Sequence, residues 1–427
     1  MALYKDKRTK RKRKQRRNIF VSVVALILVA TMGVSVWAIV DKMNAQPTVA
    51  PSASESNSGS DSSNSSSTIP EPTSVRVMVA GDNLIHSRIY TQAAEKAGGN
   101  GYDFSYTYQH IAPLIAKADF GVINQETPLV ASKPPSNWPL FNTPTQLGDH
   151  MVDIGFKVFN HANNHILDQG VSGALETIDF WKAKASKGVV LTGAYKGDTD
   201  LNTVKKHTVN GITFSYIGVT EYTNGNVMPQ DSELKLLNLA DPYQTKAQIE
   251  AAIQAQIAKA KQESDVVCVF MHWQQECNTE VTDSQQAFVD KLVSWGADVI
   301  YGSGPHVLQP IKWIEKPDGG KALVAYSLGN FISTEQKATN MCGGILDLTY
   351  EKDYETDSVS ITNATFIPTV GHYNSSYNDI RIIPFSEYTP ELANQHGVRQ
   401  YQSKFDYEYA KNVFNTIIDS EFMTPLA

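Results

Sequence analysis

The sequence VRVMVAGD, residues 75 to 82, sets the pattern that decides the fold. Its apolar residues predict a short buried strand, which stops at Gly81-Asp82. Five further apolar stretches end in the same way, at a glycine or at a polar residue. They are residues 120–123, 157–159, 266–271, 298–301 and 322–326, followed respectively by Asn124, Asn160, His272, Gly302 and Ser327.

Helical patterns separate these strands, at residues 145–154, 171–185, 245–261 and 284–295. Residues 203–217, with Asn210-Gly211 near their centre, predict a β-hairpin with a two-residue turn. Residues 344–368 alternate like antiparallel strands. The sequence therefore predicts an α/β domain in which helices cover a mixed arrangement of sheets.

Polar side chains collect where the predicted strands end. Ligands of open α/β sheets bind outside the carboxyl ends of the strands, so these side chains are candidate site residues. Carboxylate, imidazole and amide groups together suit Zn, Mn or Fe, ions that polarise a carbonyl or phosphoryl oxygen or make hydroxide from water. Each residue alone has an ordinary explanation as well: Asp82 could cap a helix, and His272 could be a packed partner of Trp273. The candidates are Asp82, Asn124, Glu126, Asn163, Asn164, His165, His272, His306 and Asn330.

The N-terminus has the pattern of a membrane anchor. Residues 5–17 include ten basic residues, and residues 19–40 are uncharged and rich in Val, Ile, Leu and Ala. A spanning helix needs about 20 such residues, and Lys and Arg stay on the cytoplasmic side. The sequence predicts a cytoplasmic tail at 1–18 and a single transmembrane helix at 19–40, with the rest outside the cell. A cleaved signal peptide is the alternative; it has a shorter apolar region and a small-residue cleavage site, whereas Asp41-Lys42-Met43 follows here.

Residues 41–74 are a Ser-rich segment that cannot bury enough apolar surface to order itself, so we expect a disordered linker. Residues 75–427 then form the extracytoplasmic domain. The net charge of −7 hides two opposite parts: residues 1–40 carry ten basic residues and one acidic residue, which leaves 27 basic and 43 acidic residues, a charge near −16, for the rest. An acidic domain argues against nucleic acid as a partner.

The three cysteines are too few for a disulfide framework. Cys268 lies within an apolar strand pattern and is expected to be a small core residue. Pairing of Cys277 with Cys342 stays open, because the sequence does not place the two near each other.

Six sequence blocks resemble the CapA family of capsule and poly-γ-glutamate biosynthesis proteins, in the family's order. The resemblance covers residues 75–334. That family is similar in fold to the calcineurin-like metallophosphoesterases, which implies a four-layer α/β/β/α sandwich behind the N-terminal transmembrane helix. The blocks are GD (81–82), NQETP (124–128), NNHILDQG (163–170), HWQQE (272–276), GSGPHVLQ (302–309) and SLGNF (327–331).

The resemblance also implies a metal site with a catalytic histidine, His165. The implied metal ligands are Asp82, Glu126, Asn164, His272 and His306, and further candidates are His86, Asn124, Asn163, Asp168, Glu276 and Asn330. Two positions where the metallophosphoesterase pattern has histidine hold Leu84 and Gly304 instead, and His86 could replace the first. We therefore expect at most one tightly held divalent ion (Mn, Zn or Fe) and an incomplete two-metal pattern.

These features predict a membrane-anchored, extracytoplasmic CapA-type protein of capsule or poly-γ-glutamate synthesis or export. Its expected partners are the membrane, an anionic capsule polymer and other membrane subunits of polymer synthesis. Two alternatives remain: a metal-dependent phosphoesterase acting on a phosphate ester of the cell envelope, and a non-catalytic polymer-binding assembly subunit. Whether the chain is an enzyme stays open.

Overall fold

The computed structural model describes residues 70–426. The predicted tail, the anchor at residues 19–40 and most of the linker lie outside the described residues. Within the described range, no helix has both the length and the apolar character needed to cross a bilayer. The first strand begins at Thr73, two residues before the start expected from the sequence.

Strands and helices alternate over most of the chain. The strands are β1 (Thr73–Asn83), β2 (Phe120–Gln125), β3 (Phe156–Asn160), β4 (Val190–Thr192), β5 (Tyr195–Lys196), β6 (Lys205–Val209), β7 (Ile212–Thr220), β8 (Leu234–Lys235), β9 (Val266–His272), β10 (Val299–Ser303), β11 (Leu308–Glu315), β12 (Lys321–Leu328), β13 (Asn330–Ile332), β14 (Cys342–Asp353), β15 (Ser358–His372) and β16 (Arg381–Pro384). The α-helices are α1 (Ser87–Lys96), α2 (Ser105–Tyr108), α3 (Ala112–Ile115), α4 (Gln146–Asp153), α5 (Gly170–Lys182), α6 (Gly197–Leu201), α7 (Lys246–Glu263), α8 (Asp283–Trp295), α9 (Pro390–Gln395) and α10 (Tyr407–Ile417).

Most strands belong to two large mixed sheets. The first has the order β16-β15-β14-β1-β2-β3-β4, and β13 also pairs with β1. Its strands β1 to β4 are parallel, while β14, β15 and β16 are antiparallel. The second sheet has the order β11-β12-β10-β9-β7-β6, with β7, β9, β10 and β12 parallel.

The two sheets pack face to face. Phe214 of the second sheet lies edge-on to Tyr350 of the first, with ring centroids 4.9 Å apart, and Tyr301 Oη lies 3.3 Å from Tyr350 Oη. Side chains of β9 alternate between two cores: Cys268 and Phe270 lie in the core shared with the first sheet, and Val267 and Val269 lie under α7 and α8. A parallel strand buried on both faces produces this continuous apolar sequence.

Helices α4 and α5 cover the outer face of the first sheet. The ring of Trp181 on α5 stacks on Phe159 of β3 with centroids 3.8 Å apart. Helices α7 and α8 begin with capping boxes, in which Thr245 and Thr282 accept hydrogen bonds from the backbone three residues later. The chain is thus an α/β domain with helices outside two packed sheets.

All six predicted strands and all four predicted helices are present within a few residues of their expected bounds. The hairpin of β6 and β7 turns at Asn210 and Gly211, whose φ angles of 48° and 79° are those of a two-residue primed turn. Cys268 and Cys342 are buried, and all three cysteines of the described chain are unpaired. The disulfide that the sequence left open is therefore not formed in this structure.

Candidate metal centre

The strand register brings three polar side chains of the first sheet into one row. Asp82, Asn124 and Asn160 are direct neighbours on β1, β2 and β3. Asn124 Nδ2 donates to Asp82 Oδ1 at 2.9 Å, and Asn160 Nδ2 donates to Asn124 Oδ1 at 3.0 Å. This relay of amides fixes the Asp82 carboxylate, so Asn124 supports a candidate ligand through a hydrogen bond.

The chain packs tightly around Asp82. The backbone N–H of Asp82 donates to Gly329 O at 3.0 Å, and a Cβ on Gly81 would lie 2.0 Å from the same oxygen. Only glycine allows this approach. The second carboxylate oxygen, Oδ2, accepts the N–H of Gly304 at 3.2 Å, so the loop that follows β10 of the second sheet holds a residue of the first.

His306 connects Asp82 with Glu126. Its Nδ1 lies 3.2 Å from Asp82 Oδ2 and 3.0 Å from Asn330 Oδ1. Both of these oxygens are hydrogen-bond acceptors, so Nδ1 carries a proton. The other ring nitrogen, Nε2, faces Glu126 Oε1 at 3.6 Å. Asn330 Nδ2 donates in turn to Glu335 Oε2 at 2.8 Å. The network therefore fixes the ring of His306 with Nε2 toward Glu126.

Glu126 is completely buried, and among residues 70–426 neither of its oxygens has a hydrogen-bond partner. His272 Nε2, 3.8 Å from Glu126 Oε1, likewise lacks a hydrogen-bond partner in the described chain, while its Nδ1 contacts Ser303 Oγ at 2.9 Å. Asn164 Oδ1 is a further buried atom without a partner in this part of the chain. Buried polar atoms are nearly always hydrogen-bonded, so four such atoms in one region call for a ligand.

A divalent metal ion fits these residues. One ligand atom each from Asp82, Glu126 and His306 lie within 4.8 Å of one another. Two carboxylates and an imidazole, with the free atoms of His272 and Asn164 in addition, form a donor set that suits Mn, Zn or Fe. The geometry does not select one of these metals.

The buried charges shift several pKa values. Burial raises the pKa of Glu126 well above its usual range, although His306 opposes that effect. Burial acts to lower the pKa of His306, but Glu126 and the hydrogen bond to Asp82 outweigh it and raise the pKa well above normal. Burial lowers the pKa of His272 to about 3, so its imidazole is neutral. The site therefore holds protons that a cation would displace, beside one neutral imidazole.

His165 forms a pair with Asp168 in the loop after β3. Its Nδ1 lies 2.7 Å from Asp168 Oδ2, which also accepts the N–H of Phe141 at 2.8 Å. The ring of Phe141 packs edge-on against His165 with centroids 4.8 Å apart. A carboxylate that holds Nδ1–H fixes the tautomer and leaves Nε2 free to exchange a proton, as in catalytic histidine–carboxylate pairs.

The adjacent asparagines orient this loop. Asn163 Oδ1 accepts the N–H of His165 at 3.1 Å, and its Nδ2 donates to Gln125 O at 3.1 Å. Asn164 Nδ2 donates to Tyr222 Oη at 3.2 Å and to Asn224 Oδ1 at 3.3 Å. Asn163 therefore supports the loop through both ends of its amide, whereas Asn164 keeps its oxygen free.

Two further candidates lie beside the site rather than within the group of three. His86 is half-buried, its Nδ1 accepts the N–H of Thr334 at 3.3 Å, and its ring packs edge-on to Phe141. Its Nδ1 is thus already in use. Glu276 Oε1 lies 3.4 Å from Tyr222 Oη, and its charge helps to raise the pKa of Glu126.

Sequence reasoning missed Tyr222, Asn224 and Glu335. A signal for the first two existed, because β7 runs to Thr220, the register partner of His272, so a further strand end reaches the site. Glu335 accepts from Asn330 Nδ2 and, at 2.6 Å, from Asn340 Nδ2. It follows no strand pattern in the sequence, and only the tertiary structure brings it to His306.

Comparisons with known proteins agree with the family resemblance of the six sequence blocks. The family model described as "Bacterial capsule synthesis protein PGA_cap" matches residues 76–335. The PGA biosynthesis protein CapA of Bacillus subtilis (strain 168) is 28% identical over 256 residues, 58% of this chain and 61% of that protein. The capsule biosynthesis protein CapA of Bacillus anthracis is 28% identical over 244 residues, 55% of each chain. The matched region thus spans less than two thirds of the length of these relatives.

A solved structure, described as a novel phosphatase from Mycoplasma pneumoniae, aligns with a TM-score of 0.41 and 13% identity. The alignment covers 70% of this chain and 95% of the phosphatase chain.

Proposed function

The chain belongs to the PGA_cap family of bacterial capsule synthesis proteins, and from this membership we propose that it serves the synthesis or export of an anionic capsule polymer such as poly-γ-glutamate. The observation that carries the proposal beyond the family is the group of buried, unpartnered atoms of Glu126, His272 and Asn164 in the described chain. Such atoms are costly to bury without a ligand. Their cost supports this site as the functional centre.

Asp82, Glu126 and His306 would hold a divalent ion, with His272 and Asn164 as additional ligands. When bound, the ion supplies Lewis-acid polarisation of a carbonyl or phosphoryl oxygen. The chain itself orients the ligand: Asn124 Nδ2 and the Gly304 N–H both donate hydrogen bonds to the Asp82 carboxylate.

The charge of the domain supports a cation at this site. Residues after position 40 carry a charge near −16, and screening limits its reach to about 8 Å at physiological salt. That count includes the buried carboxyl groups of Asp82 and Glu126 at the site, with Glu276 and Glu335 nearby. An anionic polymer approaches such a surface only where a local positive charge compensates it, which explains why polymer handling would depend on a metal.

We propose the location from the sequence: residues 19–40 anchor the chain, residues 41–74 form a linker, and the domain lies outside the cytoplasm. Other membrane subunits of polymer synthesis are its proposed partners. We also propose that the two-sheet domain is a sandwich of the calcineurin-like metallophosphoesterase type. Protease is added to intact cells in which the outer face of the anchoring membrane is exposed, and it is expected to digest or release the domain. Full protection of the domain would contradict this topology.

A phosphoesterase activity is the second candidate function, and the His165–Asp168 pair is the observation that favours it. Asp168 accepts the Nδ1 proton and stabilises the imidazolium form of His165, in which Nε2 carries a second proton that can pass to a leaving alkoxide. Binding of a polymer without reaction would not require this pair. A non-catalytic assembly role therefore remains the weaker alternative.

Two variants test the proposal in cells. His272→Ala and Glu126→Ala are expected to abolish polymer output while the anchored protein stays abundant. His110→Ala is the matched control, because His110 pairs with Glu387 and Arg381 instead of the site residues. Normal polymer output from both site variants would refute the proposed role. Loss of phosphate-ester hydrolysis with normal polymer output would favour the phosphoesterase.

A further inference from the structure

A groove of about 390 Å³ opens beside the metal centre. Its walls come mainly from the loop at residues 222–230 and from the segment at residues 234–244, and Leu167 also lines it. The volume is within the usual range of sites for small ligands, about 300–1,000 Å³. Neither the candidate metal ligands nor the His165–Asp168 pair is among the residues that line it.

One loop belongs to both the groove and the site. Tyr222 lines the groove, and its hydroxyl lies between Asn164 Nδ2 at 3.2 Å and Glu276 Oε1 at 3.4 Å. Asn224 contacts Asn164 and lies 3.4 Å from His165 Nδ1, while its neighbours Thr223 and Gly225 line the groove. A ligand in the groove would therefore place its next group at the metal centre.

The lining mixes polar and apolar residues and is poor in positive charge: nine of its twenty residues are apolar, among them Leu201, Val227 and Met228. It contains four amide side chains and two tyrosines: Asn226, Gln230, Asn238, Gln244, Tyr222 and Tyr243. Its charged residues are Lys235, Asp198 and Asp241, and Lys235 Nζ lies 3.5 Å from Asp198 Oδ1. The single cation of this lining is thus paired, and the formal charge of the groove is −1 from these residues. A chain with one carboxylate per unit would meet repulsion here.

Amides offer both donors and acceptors, and tyrosine adds a flat apolar face with a hydroxyl. A sugar has the complementary groups: hydroxyls around its edge and C–H groups on its faces. We infer that the groove binds a neutral carbohydrate segment and positions the adjoining group of the same ligand at the metal centre. This inference rests on the proposed function, since it takes the metal centre as the place of chemistry.

Titration calorimetry on the purified full chain tests the inference. The probes are tetrasaccharides of N-acetylglucosamine, glucose, galactose and mannose, with a γ-linked glutamate oligomer for comparison. Removing metal with a chelator separates this test from that of the proposed function, because groove binding does not need the ion. We expect at least one neutral tetrasaccharide to bind saturably with chelator present.

Variants assign the binding to the groove. Tyr243→Ala is expected to weaken binding about tenfold, since an aromatic contact is worth about 1.4 kcal/mol. Gln230→Ala, at another exposed position of the lining, is expected to weaken binding as well. Tyr401→Ala is the matched control, because Tyr401 is 47% exposed and Tyr243 is 50% exposed. The inference is overturned if no neutral tetrasaccharide binds, if only the glutamate oligomer binds, or if both groove variants bind like the parent protein.

Discussion

Replacement of Glu126 by glutamine separates a metal ligand from a structural carboxylate. The substitution keeps the shape of the side chain and removes its charge. Burial raises the pKa of Glu126, so the folded state binds a proton that the unfolded state has released, and this carboxyl group costs stability as the pH rises above its unfolded pKa. In the metal-free protein at pH 7.5, Glu126→Gln is therefore expected to melt at the same temperature as the parent or higher.

With metal present the sign reverses. An ion that binds only the folded state adds about 2.7 kcal/mol at a concentration 100-fold above its Kd. An unfolding entropy of about 2.1 cal/mol/K per residue amounts to roughly 0.75 kcal/mol/K for a region of this length, so the ion raises the melting temperature by about 3–4 °C. Glu126→Gln is expected to lose most of that increase. Scanning calorimetry with Mn²⁺, Zn²⁺ or Fe²⁺ and with chelator measures both effects.

Asp347→Asn is the control for a buried carboxylate with a structural partner. Asp347 is 6% exposed and accepts from Arg76 Nε at 2.8 Å and from Nη2 at 2.6 Å. The Arg76 guanidinium is partly solvated, so losing its ion pair with Asp347 is expected to lower the free energy of unfolding by about 1 kcal/mol. The loss should be equal with and without metal. If Glu126→Gln instead behaves like Asp347→Asn, or keeps the full metal-dependent increase, the assignment of Glu126 as a ligand is wrong.

Three further predictions concern the same centre. Any phosphate-ester hydrolysis by the chain is expected to fall about 100-fold in Asp168→Asn, because His165 loses the partner that fixes its proton; elemental analysis should show unchanged metal content, and an unchanged rate would exclude this pair from the reaction. Metal affinity should rise from pH 5 to pH 8, since an ion must displace the protons that the raised pKa values of His306 and Glu126 retain; calorimetry in buffers of different ionisation enthalpy should detect proton release, and its absence would contradict the prediction. Gly304→Ala should destabilise the fold by about 2 kcal/mol in urea, because φ is 98° and a Cβ would lie 2.3 Å from Trp273 O; Gly98→Ala, with φ of 66° and open space around the Cβ, should cost less, and equal losses would show that the contact does not matter.

Local sequence patterns predicted the elements of the fold because each element has a local cause. The turn at Asn210-Gly211 requires two positive φ angles, and the apolar sequence of β9 reflects burial on both faces. The order of the strands had no such local signal. β14 pairs with β1 although some 260 residues of the chain separate them, and this pairing depends on the packed sheets as a whole.

The candidate site divides in the same way. Asp82, Glu126 and His272 lie at the ends of β1, β2 and β9. Each sheet aligns the ends of its parallel strands, so the convergence of these residues could be predicted from position. The partners that decide their chemistry come from loops. Tertiary contacts bring these partners into place, and the spacing of residues in the sequence gives no signal for them. They are the hydrogen bonds from Asn330 to Glu335, from Asn164 to Tyr222 and from the Phe141 N–H to Asp168.

Gly304 shows how a position can depart from a family pattern and still serve the site. The metallophosphoesterase pattern has a histidine there, but in this chain the backbone has positive φ and adjoins Trp273, so a side chain has no room. The residue contributes its N–H to Asp82 instead. The candidate ligands His306 and His272 converge on Glu126, whose Oε1 lies 3.6 Å from His306 Nε2 and 3.8 Å from His272 Nε2. One carboxylate oxygen thus faces two imidazole nitrogens. Glutamate is one methylene longer than aspartate, so Glu126 can reach both histidines from the end of β2. A site centred on its Oε1 does not need a ligand from position 304.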